Sequence, residues 1–183
     1  MSTKKIWNPP PDLTVSEWSD RYRVLSAESS SEAGQWRTDR APYQKEIMDA
    51  ANDHRINTIV FMKSAQVGAT EILNNIVGYF IDQDPSPTLV LQPTLAMAQA
   101  WSKDRLANMI RDSERLRTKV KDPKSRDSGN TVLSKKFPGG NINIVGSNSP
   151  AGLASRPIRI LLCDEVDRYE TSAGAEGDPI NLA

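Results

Sequence analysis

Asn57-Thr58-Ile59-Val60-Phe61-Met62-Lys63-Ser64-Ala65-Gln66-Val67-Gly68-Ala69-Thr70 is the stretch whose reading decides the fold. A β-branched, apolar run gives way to small and polar residues and then, near Thr70, to a helical pattern. That is the strand, loop, helix order of a phosphate-binding P-loop. Against G-x-x-x-x-G-K-[ST], Gly68 stands at the second glycine and Thr70 at the hydroxyl, but Lys63 replaces the first glycine and Ala69 replaces the lysine. The basic residue has moved to the other end of the loop. Alone, the stretch is either a variant phosphate loop or a plain loop with a solvated cap.

Working outward, residues 69–83 carry an apolar stripe of Ile72, Leu73, Ile76, Val77 and Phe80, which predicts a helix stopped by Asp84-Pro85-Ser86-Pro87. Thr88-Leu89-Val90-Leu91 reads as a strand ending at Gln92-Pro93-Thr94. A further helix is expected over 95–111, with Ala98, Trp101, Met109 and Ile110 inward. Strands alternating with helices of this length predict an α/β fold with a mostly parallel central sheet, whatever the loop proves to be. Upstream, Val15, Trp18, Tyr22 and Leu25 share a helical face behind a cap at Thr14 or Ser16, and Ala27 to Gly34 is an exposed loop. Pro42 suits the first turn of a helix carrying Tyr43, Ile47, Met48 and Ala51.

Downstream, residues 113–130 are the most charged segment, with Arg115, Arg117, Lys119, Lys121, Lys124 and Arg126 close together. Short strands are expected at Thr131–Leu133 and Ile142–Val145, joined across Lys135-Lys136-Phe137 and a Pro138-Gly139-Gly140 turn. Ser147 to Arg156 has room for one helical turn. Ile158 to Cys163 is an apolar strand that ends in Asp164-Glu165. The resulting division is an N-terminal extension with one helix (1–40), a P-loop core (41–172) and a flexible tail (173–183).

Two adjacent carboxylates after a buried strand are hard to keep ionised together, because desolvation and mutual repulsion both oppose it. A magnesium nucleotide relieves that cost. Asp164 would then hold Mg²⁺ through its water shell, and Glu165 would orient and deprotonate the attacking water. The amides from Ala65 to Thr70 would wrap a phosphate, with the helix N-terminus adding its positive end. Thr70 would offer its hydroxyl to Mg²⁺, and Lys63 would reach the β- and γ-phosphates from the start of the loop.

Composition narrows the field. The chain has 183 residues, enough for one domain with a proper core, and is 38% hydrophobic with a mean hydropathy of −0.52. No run approaches the ~18 apolar residues of a membrane span, and the N-terminus lacks a signal-peptide core, so a cytoplasmic protein is expected. One cysteine, Cys163, and one histidine, His54, exclude an internal disulfide and a Cys- or His-based zinc site. Twenty-three basic and twenty-three acidic residues cancel, so any nucleic-acid contact must come from a local patch or a partner.

Lys63-Ser64-Ala65-Gln66-Val67-Gly68-Ala69-Thr70, with the lysine first, resembles the deviant Walker A loop of the large terminase subunits that package phage DNA, most closely the lambda-like GpA group. Glu17-Trp18, Gly34-Gln35-Trp36-Arg37 and Pro42-Tyr43-Gln44 look like the segment that group carries ahead of its loop, and Leu161 to Glu165 looks like its Walker B strand. The resemblance implies a RecA/ASCE-like three-layer P-loop ATPase driving DNA translocation into a prohead. It implies ATP and Mg²⁺ as cofactors, with double-stranded DNA, a small terminase subunit, the portal and a homo-oligomeric ring as partners in the host cytoplasm. It places Tyr43 and Gln44 at the adenine, residues 63–70 on the phosphates, and Arg156 as a trans-acting arginine finger, with Arg159 as its neighbour. Full-length members carry a further coupling motif and a nuclease domain, so the chain is expected to be a fragment, incomplete at its C-terminus and without nuclease activity. The competing readings are a helicase-like translocase, against which Ala69 counts, and a non-catalytic docking module or prophage remnant.

Overall fold

The computed structural model describes residues 11–121, 129–153 and 157–183. Thr14 caps the first helix, α1 (Val15–Tyr22), accepting from the Glu17 amide while the Glu17 carboxylate accepts from the Thr14 amide, a complete capping box. β1 (Val24–Leu25) and β2 (Gly34–Gln35) form a short antiparallel ribbon that closes the Ser/Glu-rich loop. α2 (Tyr43–Ala50) follows Pro42, and α3 (Ala69–Asp82) follows Gly68.

β3 (Pro87–Gln92) leads into α4 (Leu95–Trp101), a π-helical turn over Ser102–Leu106, and α5 (Ala107–Asp112). The expected helix over 95–111 is therefore one rod with a wider turn inside it. α6 (Glu114–Arg117) is a single turn. β4 (Ser134–Phe137) pairs antiparallel with β5 (Gly140–Gly146), α7 (Pro150–Leu153) follows, and β6 (Ile160–Cys163) precedes the short α8 (Pro179–Leu182).

The sheet runs in the order β4-β5-β3-β6, with β3 parallel to both neighbours. The chain is thus mixed α/β with a mostly parallel sheet, as its strand and helix spacing predicts. Alternation along the strands sends Val90, Ile142, Ile144 and Leu162 to one face, where Val15, Trp18, Ile76, Phe80, Trp101 and Leu106 meet them. Leu89, Leu91 and Val145 go to the other face, covered by Leu153, Ala173, Tyr169 and Leu182. Segment 173–183 thus contributes a buried alanine and a helical turn, and α1 sits inside the main core.

Two expectations need correction. The stretch 57–62 is not a strand: among the described residues it makes no backbone hydrogen bond, and Val60 and Met62 are 87% and 95% exposed. β-branched composition supplies a preference for extended backbone, but a strand exists through its ladder, and no described strand lies beside this one. β6, at the edge of the sheet, pairs among the described residues with β3 alone. The hairpin before β5 is also displaced, since Thr131–Leu133 lies outside it and Lys135 to Phe137 is inside. Phe137 pairs with Gly140 across Pro138-Gly139, and Gly139 has φ +85, as the second central residue of a tight Pro-Gly turn requires. That turn fixes the register and pulls the lysines into the strand.

Candidate functional site

The loop between residue 62 and α3 is shaped by two left-handed residues, Gln66 (φ +61) and Gly68 (φ +73). Gly68 is the N-cap of α3, and no side chain caps that helix. Among the described residues, no amide from Ser64 to Thr70 donates a backbone hydrogen bond. A row of unbonded amides at the start of a 14-residue helix is a ready anion cradle. Lys63 is exposed beside it and makes no ion pair among the described residues.

Tyr43 and Gln44, at the start of α2, both reach the loop. Tyr43 Oη donates to the Val67 carbonyl at 2.9 Å, and Gln44 Nε2 donates to the same oxygen at 3.2 Å. Gln44 is buried and its Oε1 has no partner among the described residues. The Gln44 amide lies so close to Gly68 that a Cβ there would come within 2.6 Å of Nε2. Here these two side chains hold the loop ahead of α3 rather than stand apart from it.

β6 delivers Asp164 to the other side of the loop. The Asp164 amide continues the ladder by donating to Leu91 O at 3.1 Å, and its carboxylate is nearly buried, at 7% exposure. Oδ2 lies 3.5 Å from Thr70 Oγ1 and 3.5 Å from Gln92 Nε2, both at the outer limit of a hydrogen bond. Thr70 and Asp164, 94 positions apart in sequence, thus converge. Glu165 follows in the left-handed region (φ +51), a strained backbone for a non-glycine residue, with Arg168 Nη1 3.0 Å from its Oε2. Cys163 lies beneath the pair. Burial pushes its thiol up to about 11, so little of it is thiolate near neutral pH.

The donor set suits a cation held mainly by its nucleotide. Among the described residues no cluster of three or more His, Cys, Asp or Glu side chains could hold a metal by itself. One hydroxyl and one carboxylate are instead what Mg²⁺ takes from protein when phosphates and water complete its shell.

Gln92 is a site residue that sequence reasoning passed over. Its signal was a polar side chain at the end of an apolar strand. Arg156 lies outside the described residues. Arg159 sits at the opposite end of β6 from Asp164, where it pairs with Asp84 at 2.7 Å and donates to Ser86 Oγ at 2.8 Å. In the basic cluster, Arg115 and Lys119 are engaged by Asp82, Arg117 and Lys121 are exposed, and Lys124 and Arg126 lie outside the described residues. No helix among the described residues is long and apolar enough to cross a membrane.

Comparison with known proteins gives the family to which the chain is related. The chain is 28% identical over 174 residues to "Terminase, large subunit" of Enterobacteria phage P21, covering 94% of this chain and 27% of that protein. It is 27% identical over 180 residues to "Terminase, large subunit" of Escherichia phage lambda, covering 98% of this chain and 28% of that one. It therefore spans about a quarter of the length of these relatives. No solved structure matches it. Residues 30–183 match the family model "Phage terminase large subunit gpA, ATPase domain", more than half of the chain, and the chain belongs to that family.

Proposed function

We propose that this chain binds and hydrolyses Mg-ATP as the motor portion of a DNA-packaging terminase, on a RecA-like P-loop core. The observation that carries the reading is the convergence of Thr70 Oγ1 and Asp164 Oδ2 at 3.5 Å beside a loop of unbonded amides. Residues 64–70 cradle the β-phosphate, and Lys63 approaches the β- and γ-oxygens from the loop's start. Thr70 and Asp164 hold Mg²⁺, which neutralises charge on the phosphates when bound. Glu165 accepts the proton of a water whose oxygen attacks the γ-phosphorus as the bond to the bridging oxygen breaks.

Tyr43 and Gln44 would contact the base, a role supported by Gln44 Oε1, which has no partner among the described residues and offers an acceptor for an exocyclic amino group. Arg156 is the proposed finger acting across a subunit boundary in a ring. Hydrolysis drives duplex DNA toward a portal in the host cytoplasm, with a small terminase subunit as partner.

A second reading has its own observation. The segment leading into the loop is unpaired and exposed at Val60 and Met62, which favours a docking module that binds without turnover. Phosphate release and binding of a fluorescent ATP analogue with Mg²⁺ separate the two. Wild type should bind and turn over, Glu165→Gln should bind without turnover, and Lys63→Ala should lose about tenfold or more in affinity, the equivalent of ~1.4 kcal/mol. Binding by wild type no tighter than by Lys63→Ala would sink the catalytic assignment.

A further inference from the structure

Two glutamates in this chain occupy the third position of a helix, and they are treated differently. In α1, Glu17 reaches back to the N-cap amide and closes a capping box. In α3, Glu71 holds the same position after Gly68, Ala69 and Thr70, yet no side chain caps that helix. A glutamate at this position has the reach to occupy the N-terminal amides itself. In α3 that would place a carboxylate where a phosphate has to sit.

Three side chains hold the Glu71 carboxylate elsewhere. Arg23 Nη2 makes a close ion pair with its Oε2, Arg105 Nη1 lies 3.6 Å from Oε1, and Asn74 Nδ2 donates to Oε1 at 3.3 Å. Arg23 Nη1 also donates to the Glu71 carbonyl at 3.1 Å and makes a close hydrogen bond to Asn75 Oδ1. Arg23 is itself 3% exposed, with its guanidinium 4.9 Å from the Trp36 ring. Burying an arginine is costly, and an arginine stays charged through it. A pair placed one residue from the Mg²⁺-binding hydroxyl has a use beyond packing.

We propose that Arg23, assisted by Arg105, is a positioning residue that withholds the Glu71 carboxylate from the N-terminus of α3. It thereby keeps the loop amides open to phosphate and cancels a negative charge that would repel it. The inference rests on the nucleotide reading given above. It makes the segment ahead of the loop part of the binding apparatus, because Arg23 comes from the turn between α1 and β1.

The test is a charge-rescue cycle, read by titrating the full chain with a fluorescent ATP analogue and Mg²⁺, with thermal unfolding recorded for each variant. Arg23→Ala frees Glu71 and should weaken binding about tenfold or more, the equivalent of ~1.4 kcal/mol. Glu71→Gln should bind at least as tightly as wild type. Arg23→Ala/Glu71→Gln should return affinity to within about threefold of wild type, under ~1 kcal/mol, while its unfolding temperature stays low. A purely structural pin gives the opposite result, since removing both partners does not restore packing against Trp36. Should Arg23→Ala fail to fold, the half-exposed Arg105 replaces it, with Arg105→Ala weakening binding and Glu71→Gln rescuing it. Wild-type affinity in the arginine variants, or a double variant as weak as the single, overturns the inference alone. No binding by wild type overturns the nucleotide reading and this inference with it.

Discussion

At the scale of a residue, Gly68 concentrates the constraints on the loop. Its φ of +73 belongs to the left-handed region, and Gln44 Nε2 occupies the space where a Cβ would stand. An alanine there adopts a backbone that costs an L-residue about 1–2 kcal/mol and pushes the Gln44 amide off the Val67 carbonyl. Gly68→Ala should therefore lower the unfolding midpoint by about 2–8 °C for a chain of this size, and Mg-ATP affinity should fall with it. A scan showing an unchanged midpoint would mean the loop relaxes around the methyl group. Glycine at 68 and the hydroxyl at 70 were both legible in the sequence, as the two positions that match the phosphate-loop pattern. That Gln44 grips the loop was not, since a hydrogen bond to a backbone carbonyl leaves no signature in the donor's neighbours.

At the scale of an element, α3 shows a local rule reversed by its surroundings. Gly78 lies in its middle, and replacing such a glycine by alanine at an open helix site stabilises by about 1 kcal/mol. Here a Cβ on Gly78 would meet the Trp18 ring at 2.3 Å, because α1 packs directly on this side of the helix. Gly78→Ala should instead destabilise by about 1–3 kcal/mol through overpacking. Denaturant unfolding checks the sign, and a raised midpoint would show that the two helices separate at little cost. The extended segment 57–62 teaches a similar lesson. Its composition favours a strand as strongly as that of β3, yet β3 has two parallel neighbours and the segment has none among the described residues. Backbone pairing is a property of two chains of residues, and one of them was never visible in the pattern of the other.

At the scale of the molecule, Asp82 ties distant parts together. Its buried carboxylate accepts from Trp18 Nε1 of α1 at 2.9 Å and from Arg115 Nε of α6 at 3.2 Å, and Lys119 Nζ lies 2.7 Å from its other oxygen. Burial pushes its pKa up, but the hydrogen bonds from Lys119, Trp18 and Gln83, with the Lys119 charge, outweigh burial and the net shift is downward. A group whose folded pKa is depressed stabilises fully above its unfolded pKa, and the contribution fades as pH falls through the folded value. Asp82→Asn should thus be less stable than wild type near neutral pH by about 1–3 kcal/mol. The gap should narrow as the pH drops below about 4, the ordinary carboxylate value. Unfolding curves across that range decide it, and a gap that stays constant would show that the carboxylate's charge contributes nothing.

Asp82 also explains why a run of cations in the sequence is a poor guide to a nucleic-acid surface. Two members of the basic cluster, Arg115 and Lys119, are spent on this internal carboxylate. Sequence spacing by itself determined the α/β class, the positions of α3 and β3, and the carboxylates closing the last strand. Each of these is written in periodicity or in the residue types that a local geometry requires. Tertiary structure alone decided that Thr70 meets Asp164, that Arg23 draws Glu71 away from the head of α3, that Tyr43 and Gln44 hold the loop, and that segment 57–62 stays unpaired among the described residues. Those outcomes depend on which elements come to lie side by side, and the free energy that settles it belongs to contacts between residues far apart in the chain.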